Sequence, residues 1–179
     1  MKVLVTGGAG YIGSHTVVEL LAAGHEAVIV DNHANSKPEV LNRLKKITGQ
    51  DILFCEVDVT DAEALGKIAA EHDFDAVVHF AGLKAVGESV EKPLEYYKNN
   101  LDSTMAVAQV AVDYDIAHVV FSSSATVYGD PESVPIPETA TLHTTNPYGA
   151  TKLMSEQILT DVAATGKPNV TLLRYFNPI

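Results

Sequence analysis

The sequence predicts an α/β protein, a doubly wound parallel sheet with helices on both faces in a three-layer α/β/α arrangement. Three observations carry that expectation. Short apolar runs of strand length alternate with segments of helical period along the chain. A glycine-rich turn joins the first strand to the first helix. Of the 179 residues, 46% are hydrophobic, enough for the core of one domain. Such alternation implies parallel pairing through right-handed crossovers, which brings the carboxyl ends of the strands to one edge of the sheet.

The first strand is Val3, Leu4 and Val5. The run GGAGYIG (7–13) follows as a turn, and Ile12, Val17, Leu20 and Leu21 recur on the inward face of the helix it opens. Residues 27–30 make a second strand, ended by Asp31. Strand, glycine turn, helix, strand and acid in this order form the Rossmann unit that binds a dinucleotide. Gly7 permits the tight turn, Gly10 lets backbone N–H groups approach a pyrophosphate, and Gly13 lets helix and strand pack closely, so that phosphates sit on the positive end of the helix. Asp31 stands where a carboxylate takes both ribose hydroxyls. An acid there, with no Arg in the next several positions, favours NAD over NADP, whose 2′-phosphate it would repel.

A polar segment, 32–37, leads to a helix over 38–48, opened by Pro38, with Val40, Leu41, Leu44 and Ile47 on one face. The third strand is 51–57, and Asp58 lies at its end. Thr60 or Asp61 caps a helix carrying Leu65, Ile68 and Ala69, and the fourth strand is 76–80. A loop over 81–93 with two glycines and Lys84 precedes a long helix over 94–114. The fifth strand, 119–122, runs into Ser122, Ser123 and Ser124. A proline- and threonine-rich stretch over 130–147 reads as a long surface loop, of a length that usually carries function. A helix over 148–164 and a sixth strand over 171–175 complete the pattern. The binding edge should be built from 7–13, Asp31, Asp58, 80–84 and 122–124.

Composition narrows the function. A net charge of −11 with only 12 Lys and Arg argues against a nucleic-acid partner, because phosphate backbones need a basic face. A bound dinucleotide must then be held by backbone dipoles and a few chosen side chains. Cys55 is the one cysteine and lies in an apolar strand, which predicts a buried, inert thiol, no disulfide and a reducing compartment. No run of 18 apolar residues occurs and no basic-then-apolar leader opens the sequence, so the expectation is a soluble, cytoplasmic protein without a membrane partner. The seven histidines show no metal-ligand spacing, and no metal is expected. His79, within a strand, reads as a satisfied core residue, and His15 as a packing residue near the glycine turn. Tyr96 and Tyr97, with Leu94, Leu101 and Met105, read equally as a packing face or a ligand wall.

A second constellation carries chemistry. Tyr148 and Lys152, four apart, share one helix face, and Ser124 ends the fifth strand. An ammonium beside a phenol lowers the phenol's pKa from about 10, and a phenolate nearer neutrality is a general base for a sugar hydroxyl. Ser124 would relay or hold the proton, and Lys152 would also hydrogen-bond the nicotinamide ribose.

The runs GGAGYIG, Asp31-Asn32, Asn35-Ser36, FAGLKAVGESVEKPLEYYKNN (80–100), FSSSATVYG (121–129), NPYGATKLMSE (146–156) and LLRYFNP (172–178) together resemble the extended short-chain dehydrogenase/reductase family, and within it the UDP-glucose (UDP-galactose) 4-epimerases. The segment 80–100 is the most diagnostic, since the glycine turn and the Tyr–Lys pair are shared across the superfamily. Related nucleotide-sugar dehydratases carry acidic residues where this chain has Ala125 and Thr126. The resemblance implies backbone contacts from Tyr11 and Ile12 to the pyrophosphate. It places Asp31, Asn32, Asn35 and Ser36 at the adenosine ribose, and Asp58 and Val59 at the adenine. Phe80, Ala81, Gly82, Leu83 and Lys84 would run along NAD, with Asn99 reaching it from the long helix and Tyr175 and Phe176 beside the nicotinamide. Ser124, Tyr148 and Lys152 would be the catalytic set. Lys84, Ser124, Tyr148 and Asn177 would meet the UDP-hexose.

The implied reaction interconverts UDP-galactose and UDP-glucose through oxidation at C4 to a 4-keto sugar and re-reduction on the other face. The family's smaller lobe, which grips UDP, is absent from these 179 residues, so the whole chain is expected to be the NAD-binding domain, and NAD binding to survive better than turnover. A binding module without turnover, or another nucleotide-sugar reductase or dehydratase, are the alternatives. The family's pairing of the long helix with the Tyr148 helix implies a possible homodimer.

Overall fold

The computed structural model describes residues 1–178; Ile179, the last residue of the expected domain, lies outside the described residues. Six strands form one sheet: β1 (Lys2–Thr6), β2 (Glu26–Asp31), β3 (Leu53–Glu56), β4 (Ala76–His79), β5 (His118–Ser124) and β6 (Asn169–Tyr175). Their spatial order is β3-β2-β1-β4-β5-β6, and every pairing is parallel. The helices are α1 (Tyr11–Ala22), α2 (Glu39–Thr48), α3 (Ala62–Glu71), α4 (Val86–Glu91), α5 (Pro93–Asp113) and α6 (Pro147–Ala163).

Central strands that are apolar at every position are buried on both faces. Alternation along the strands sends Val3, Val5, Ala27, Ile29, Ala76 and Val78 to one face, where Val17 and Leu21 of α1 and Leu44 of α2 cover them. Leu4, Val28, Val30, Val77, Val119 and Phe121 face the other way, beneath α3, α5 and α6. Each fully buried aliphatic side chain contributes about 1.5–3 kcal/mol, and a one-residue slip would turn both sets outward, so the register is held by the core itself.

The order of strands reverses between β1 and β4. There the connections that follow the two strands leave the sheet in opposite directions and open a crevice, the place where doubly wound sheets bind ligands. Gly7 makes the crevice possible. Its φ of +69° suits glycine, its N–H donates to the Val30 carbonyl at 2.8 Å, and a Cβ there would lie 2.6 Å from the Ala81 nitrogen.

Several local expectations change. The α2 face is narrower than its period suggests: Leu44 is buried but Ile47 is 68% exposed, because this helix lies over the margin of the sheet. β3 is an edge strand and shorter than expected, which leaves Cys55 half-buried instead of buried; burial, then the charge of Glu71, raises its thiol pKa. The expected loop over 81–93 contains α4, a helix too short to show a period. The fifth strand continues through all three serines, because Ser122, Ser123 and Ser124 pair with Leu173, Arg174 and Tyr175 of β6. A ladder partner overrides weak strand propensity. A 3₁₀ turn, Ala125–Tyr128, then carries the chain away from the sheet.

Asp61, one of the two expected caps, closes α3 by accepting the Ala64 N–H at 3.0 Å. Asp61→Ala is expected to lower stability by about 1 kcal/mol, read as a shift in the urea midpoint at unchanged slope.

Candidate active site

The crevice is a cleft of about 820 Å³ along the carboxyl edge of the sheet. It gathers the residues that the resemblance places at NAD and the UDP-hexose: the glycine turn with Tyr11 and Ile12, the Asp31–Ser36 region, Asp58 and Val59, Phe80 to Lys84, Asn99, Ser124, Tyr148, Lys152, and Tyr175 to Asn177; Tyr96 and Tyr97 do not line it. These come from segments far apart in the chain and meet only because parallel strands end on one side.

At one end, α1 begins at Gly10 with no side-chain cap and no acidic residue in its first turn, so its first N–H groups face the cleft without an internal partner. That end suits an anion. Asp31, 8% exposed, is tied into the protein more tightly than its expected ribose role requires. One carboxylate oxygen accepts the Ala9 N–H at 3.1 Å; the other accepts the His33 N–H at 2.8 Å and the Ser36 hydroxyl at 2.9 Å. It fixes the glycine turn to the end of β2. Beside it, burial works against the Asp58 carboxylate, but hydrogen bonds from Thr60 and Asn32 outweigh that and hold its pKa below the ordinary value.

The middle of the cleft is held by Asn100, which the sequence did not single out. Its side chain accepts the Leu83 N–H at 2.8 Å and the Asn99 amide at 3.0 Å, and donates to the Leu83 carbonyl at 3.0 Å and the Thr151 hydroxyl at 2.9 Å. Loop 81–84, α5 and α6 are thereby joined. Tyr96 is fully buried; it donates to Glu88 at 2.8 Å and accepts the Ala85 N–H at 3.1 Å, and burial followed by the Glu88 bond pushes its pKa up to about 12. Leu94 and Met105 point to solvent, so the five-residue packing face or ligand wall expected around Tyr96 does not exist as one surface.

At the other end lie Ser124, Tyr148 and Lys152. Asn146 caps α6 by accepting the Gly149 N–H at 2.8 Å, and Pro147 starts the helix, which sets Tyr148 in its first turn beside Ser124. The Lys152 ammonium donates to the Ser122 carbonyl at 2.8 Å and lies 4.7 Å from the Phe121 ring centre, but 6.0 Å from that of Tyr148. The expected lowering of the phenol by this ammonium is therefore not found. Burial raises the Tyr148 pKa, and the Ser124 hydroxyl opposes the rise.

Burial brings Lys152 down to about 8, against the pull of Glu156. His79, expected to be a satisfied core residue, is satisfied on one side only. Nδ1 meets the Thr6 hydroxyl at 2.7 Å while the buried Nε2 has no partner among the described residues, and burial, with Lys152 nearby, brings its pKa to about 3. The imidazole is neutral.

The lysine carries a stability consequence. Its ordinary value is 10.5, so between about 8 and 10.5 the unfolded chain holds a proton that the folded chain has released, and stability rises with pH across that window. Below it, the buried charge is a standing loss, offset in part by the bond to Ser122. Lys152→Met is expected to raise stability at pH 7 by on the order of 1–3 kcal/mol and to flatten the alkaline rise, both read by urea unfolding.

Among the described residues no three His, Cys, Asp or Glu side chains group as metal ligands, and no helix is long and apolar enough to cross a membrane.

Over residues 3–179 the sequence matches the NAD dependent epimerase/dehydratase family. It is 58% identical over 179 residues to a UDP-glucose 4-epimerase of Bacillus subtilis, covering 99% of this chain and 53% of that protein. To one from Haemophilus influenzae it is 56% identical over 181 residues, covering 100% and 54%. The solved structure of UDP-glucose 4-epimerase from Bifidobacterium longum, in complex with NAD+ and UDP, matches with a TM-score of 0.97 at 50% identity, covering 100% of this chain and 54% of that one. The chain spans about half the length of the curated relatives it matches.

Proposed function

The chain belongs to the NAD dependent epimerase/dehydratase family, and we propose that residues 1–179 are the NAD-binding domain of a UDP-galactose/UDP-glucose 4-epimerase. The observation that carries this reading is the single cleft that joins an uncapped helix start, a buried ribose-side carboxylate and the Ser124–Tyr148–Lys152 set.

The residues present fit the cofactor. Gly13 lets the start of α1 pack directly against the turn, since a Cβ there would lie 2.3 Å from the Gly7 carbonyl oxygen, and with Gly7 and Gly10 it leaves the amides of Tyr11 and Ile12 at the cleft for a pyrophosphate. Asp31, held by its three donors, presents the remaining lone pairs to ribose hydroxyls, with Asn32, Asn35 and Ser36 beside it. Asp58 and Val59 border the adenine, the run from Phe80 to Lys84 and Asn99 follows the cofactor, and Tyr175 and Phe176 flank the nicotinamide. When bound, NAD supplies the hydride acceptor and donor at the sugar C4.

Tyr148 takes the proton of the 4-hydroxyl and later returns it, Ser124 holds the same oxygen, and Lys152 bonds the nicotinamide ribose. Because Tyr148 lies above its ordinary value before ligands bind, turnover is expected to rise with pH through the neutral range. Lys84 and Asn177 lie where they meet the nucleotide-sugar. The lone thiol Cys55 fits a reducing compartment, and we place the protein in the cytoplasm. Exposed Val90, Leu94, Met105 and Met154 on α4, α5 and α6 support a homodimer, which sedimentation would show as twice the chain mass.

Calorimetry with NAD tests the reading directly. Saturable binding of one NAD per chain is expected, with NADP at least about tenfold weaker because Asp31 repels its 2′-phosphate. Absence of NAD binding by the folded chain would overturn the reading.

A further inference from the structure

Glu156 lies one helical turn beyond Lys152 and two beyond Tyr148 on α6, on the same face, and is 4% exposed. One of its oxygens accepts the Ser123 hydroxyl of β5 and the Arg174 Nε of β6, the latter at 3.0 Å; the other accepts Arg174 Nη2 at 2.7 Å. Arg174 goes on to donate to the Tyr128 hydroxyl at 2.9 Å and the Glu138 carbonyl at 3.4 Å, and stands 5.0 Å from the Tyr128 ring centre. One buried carboxylate, with the Arg174 it pairs, thus ties together the helix that carries Tyr148 and Lys152, the ends of the two strands beneath it, the 3₁₀ turn that follows Ser124 and the long loop over 130–146.

A buried acid of this kind is not needed for the core, since an ion pair out of water is often no more stabilising than apolar residues of the same volume. Its placement has a different consequence. Two clamps, Lys152 on the Ser122 carbonyl and Ser123 on Glu156, hold adjacent turns of α6 to adjacent residues of β5, so the height of Tyr148 over Ser124 is set from below.

We propose that Glu156 is a positioning residue for the Tyr148–Lys152 pair: it locks α6 to β5 and β6 through Ser123 and Arg174 and supplies the negative charge that keeps the buried Lys152 ammonium charged. The proposal deepens the NAD reading and rests on it for the role of Lys152. The titratable groups around that ammonium are Tyr148 and Glu156 of its own helix, His79 of β4, and Tyr175 and the paired Arg174 of β6; β5 offers a carbonyl. His79 and Tyr175 are neutral near pH 8 and Arg174 is cationic, which leaves Glu156 as the carboxylate that opposes the loss of the proton.

The test compares the whole chain with Glu156→Gln, which keeps the shape and the Ser123 bond and removes the charge. Lysines labelled with ¹³C at Cε are titrated by NMR, with Lys152 assigned from Lys152→Met, and NAD affinity is measured by calorimetry from pH 6 to 9. The Lys152 midpoint is expected to move to lower pH in Glu156→Gln. NAD affinity should stay within about twofold of the parent near pH 6 and be roughly tenfold weaker near pH 8. An unmoved midpoint, or a loss of affinity equal at every pH, would overturn the proposal.

Should Glu156→Gln fail to fold because Arg174 is left unpaired, Arg174→Gln carries the measurement in the opposite sense, since it removes the cation that opposes Glu156 and is expected to move the Lys152 midpoint to higher pH; an unmoved midpoint there, or failure of both variants to fold, would overturn the proposal. If the parent chain itself binds no NAD, the reading of function falls while the NMR titration still decides the charge role of Glu156.

Discussion

Gly13→Ala is expected to weaken NAD binding by up to about a hundredfold while leaving the chain folded. The added methyl would lie 2.3 Å from the Gly7 carbonyl oxygen, 2.8 Å from Gly8 Cα and 3.0 Å from the Gly7 carbonyl carbon. All three are backbone atoms in the turn that defines the cleft, so no side chain can swing aside. The start of α1 must move away from the turn by a substantial fraction of an ångström, and the N–H groups proposed to face the pyrophosphate move with it. A displacement of about 1 Å at a positioning group typically costs about a hundredfold. The strain should also lower stability by about 1–3 kcal/mol, separable by urea unfolding. Gly87→Ala is the control, because a Cβ there meets nothing within 4 Å. An affinity for Gly13→Ala near that of Gly87→Ala would remove the phosphates from this helix end.

Tyr148→Phe is expected to retain NAD and lose chemistry. Its hydroxyl, partnered by Ser124, is the group proposed above to accept the proton of a sugar hydroxyl. Removing a general base typically lowers the rate by about 10²–10⁴. With UDP-galactose present, reduction of bound NAD followed by absorbance should slow by that factor, and NAD affinity by calorimetry should stay within about twofold. Equal rates in the two chains would assign the base to another residue. Equal losses in rate and NAD affinity would give Tyr148 a binding role in place of a chemical one.

The parts of the site that were legible in the sequence are those whose requirement is local. Gly7 has the positive φ that its turn demands, Asp61 caps its helix with its own side chain, and Tyr148 and Lys152 share a face because they are four apart. Asn100, Glu156 and the half-satisfied His79 were not legible. Their partners lie 17 to 73 positions away, at Leu83 and Thr151, at Ser123 and Arg174, and at Thr6. Nothing in a single strand or helix marks such residues as paired. The expected effect of Lys152 on Tyr148 went astray for a related reason: helical spacing places two side chains on one face, but the strand beneath decides where the ammonium points.

The sequence by itself determined the order of strands and helices along the chain, the glycine turn after the first strand, the shared helix face of Tyr148 and Lys152 and the family resemblance, because each of these rests on backbone conformation or spacing within one element or its neighbour. Only the tertiary structure decided the charge states in the cleft, the exposure of Cys55 and Ile47, the extension of β5 through its serines, and the carboxylate that braces α6. Desolvation and long-range hydrogen bonding depend on what is brought alongside a group, and that is set by the packing of the whole sheet.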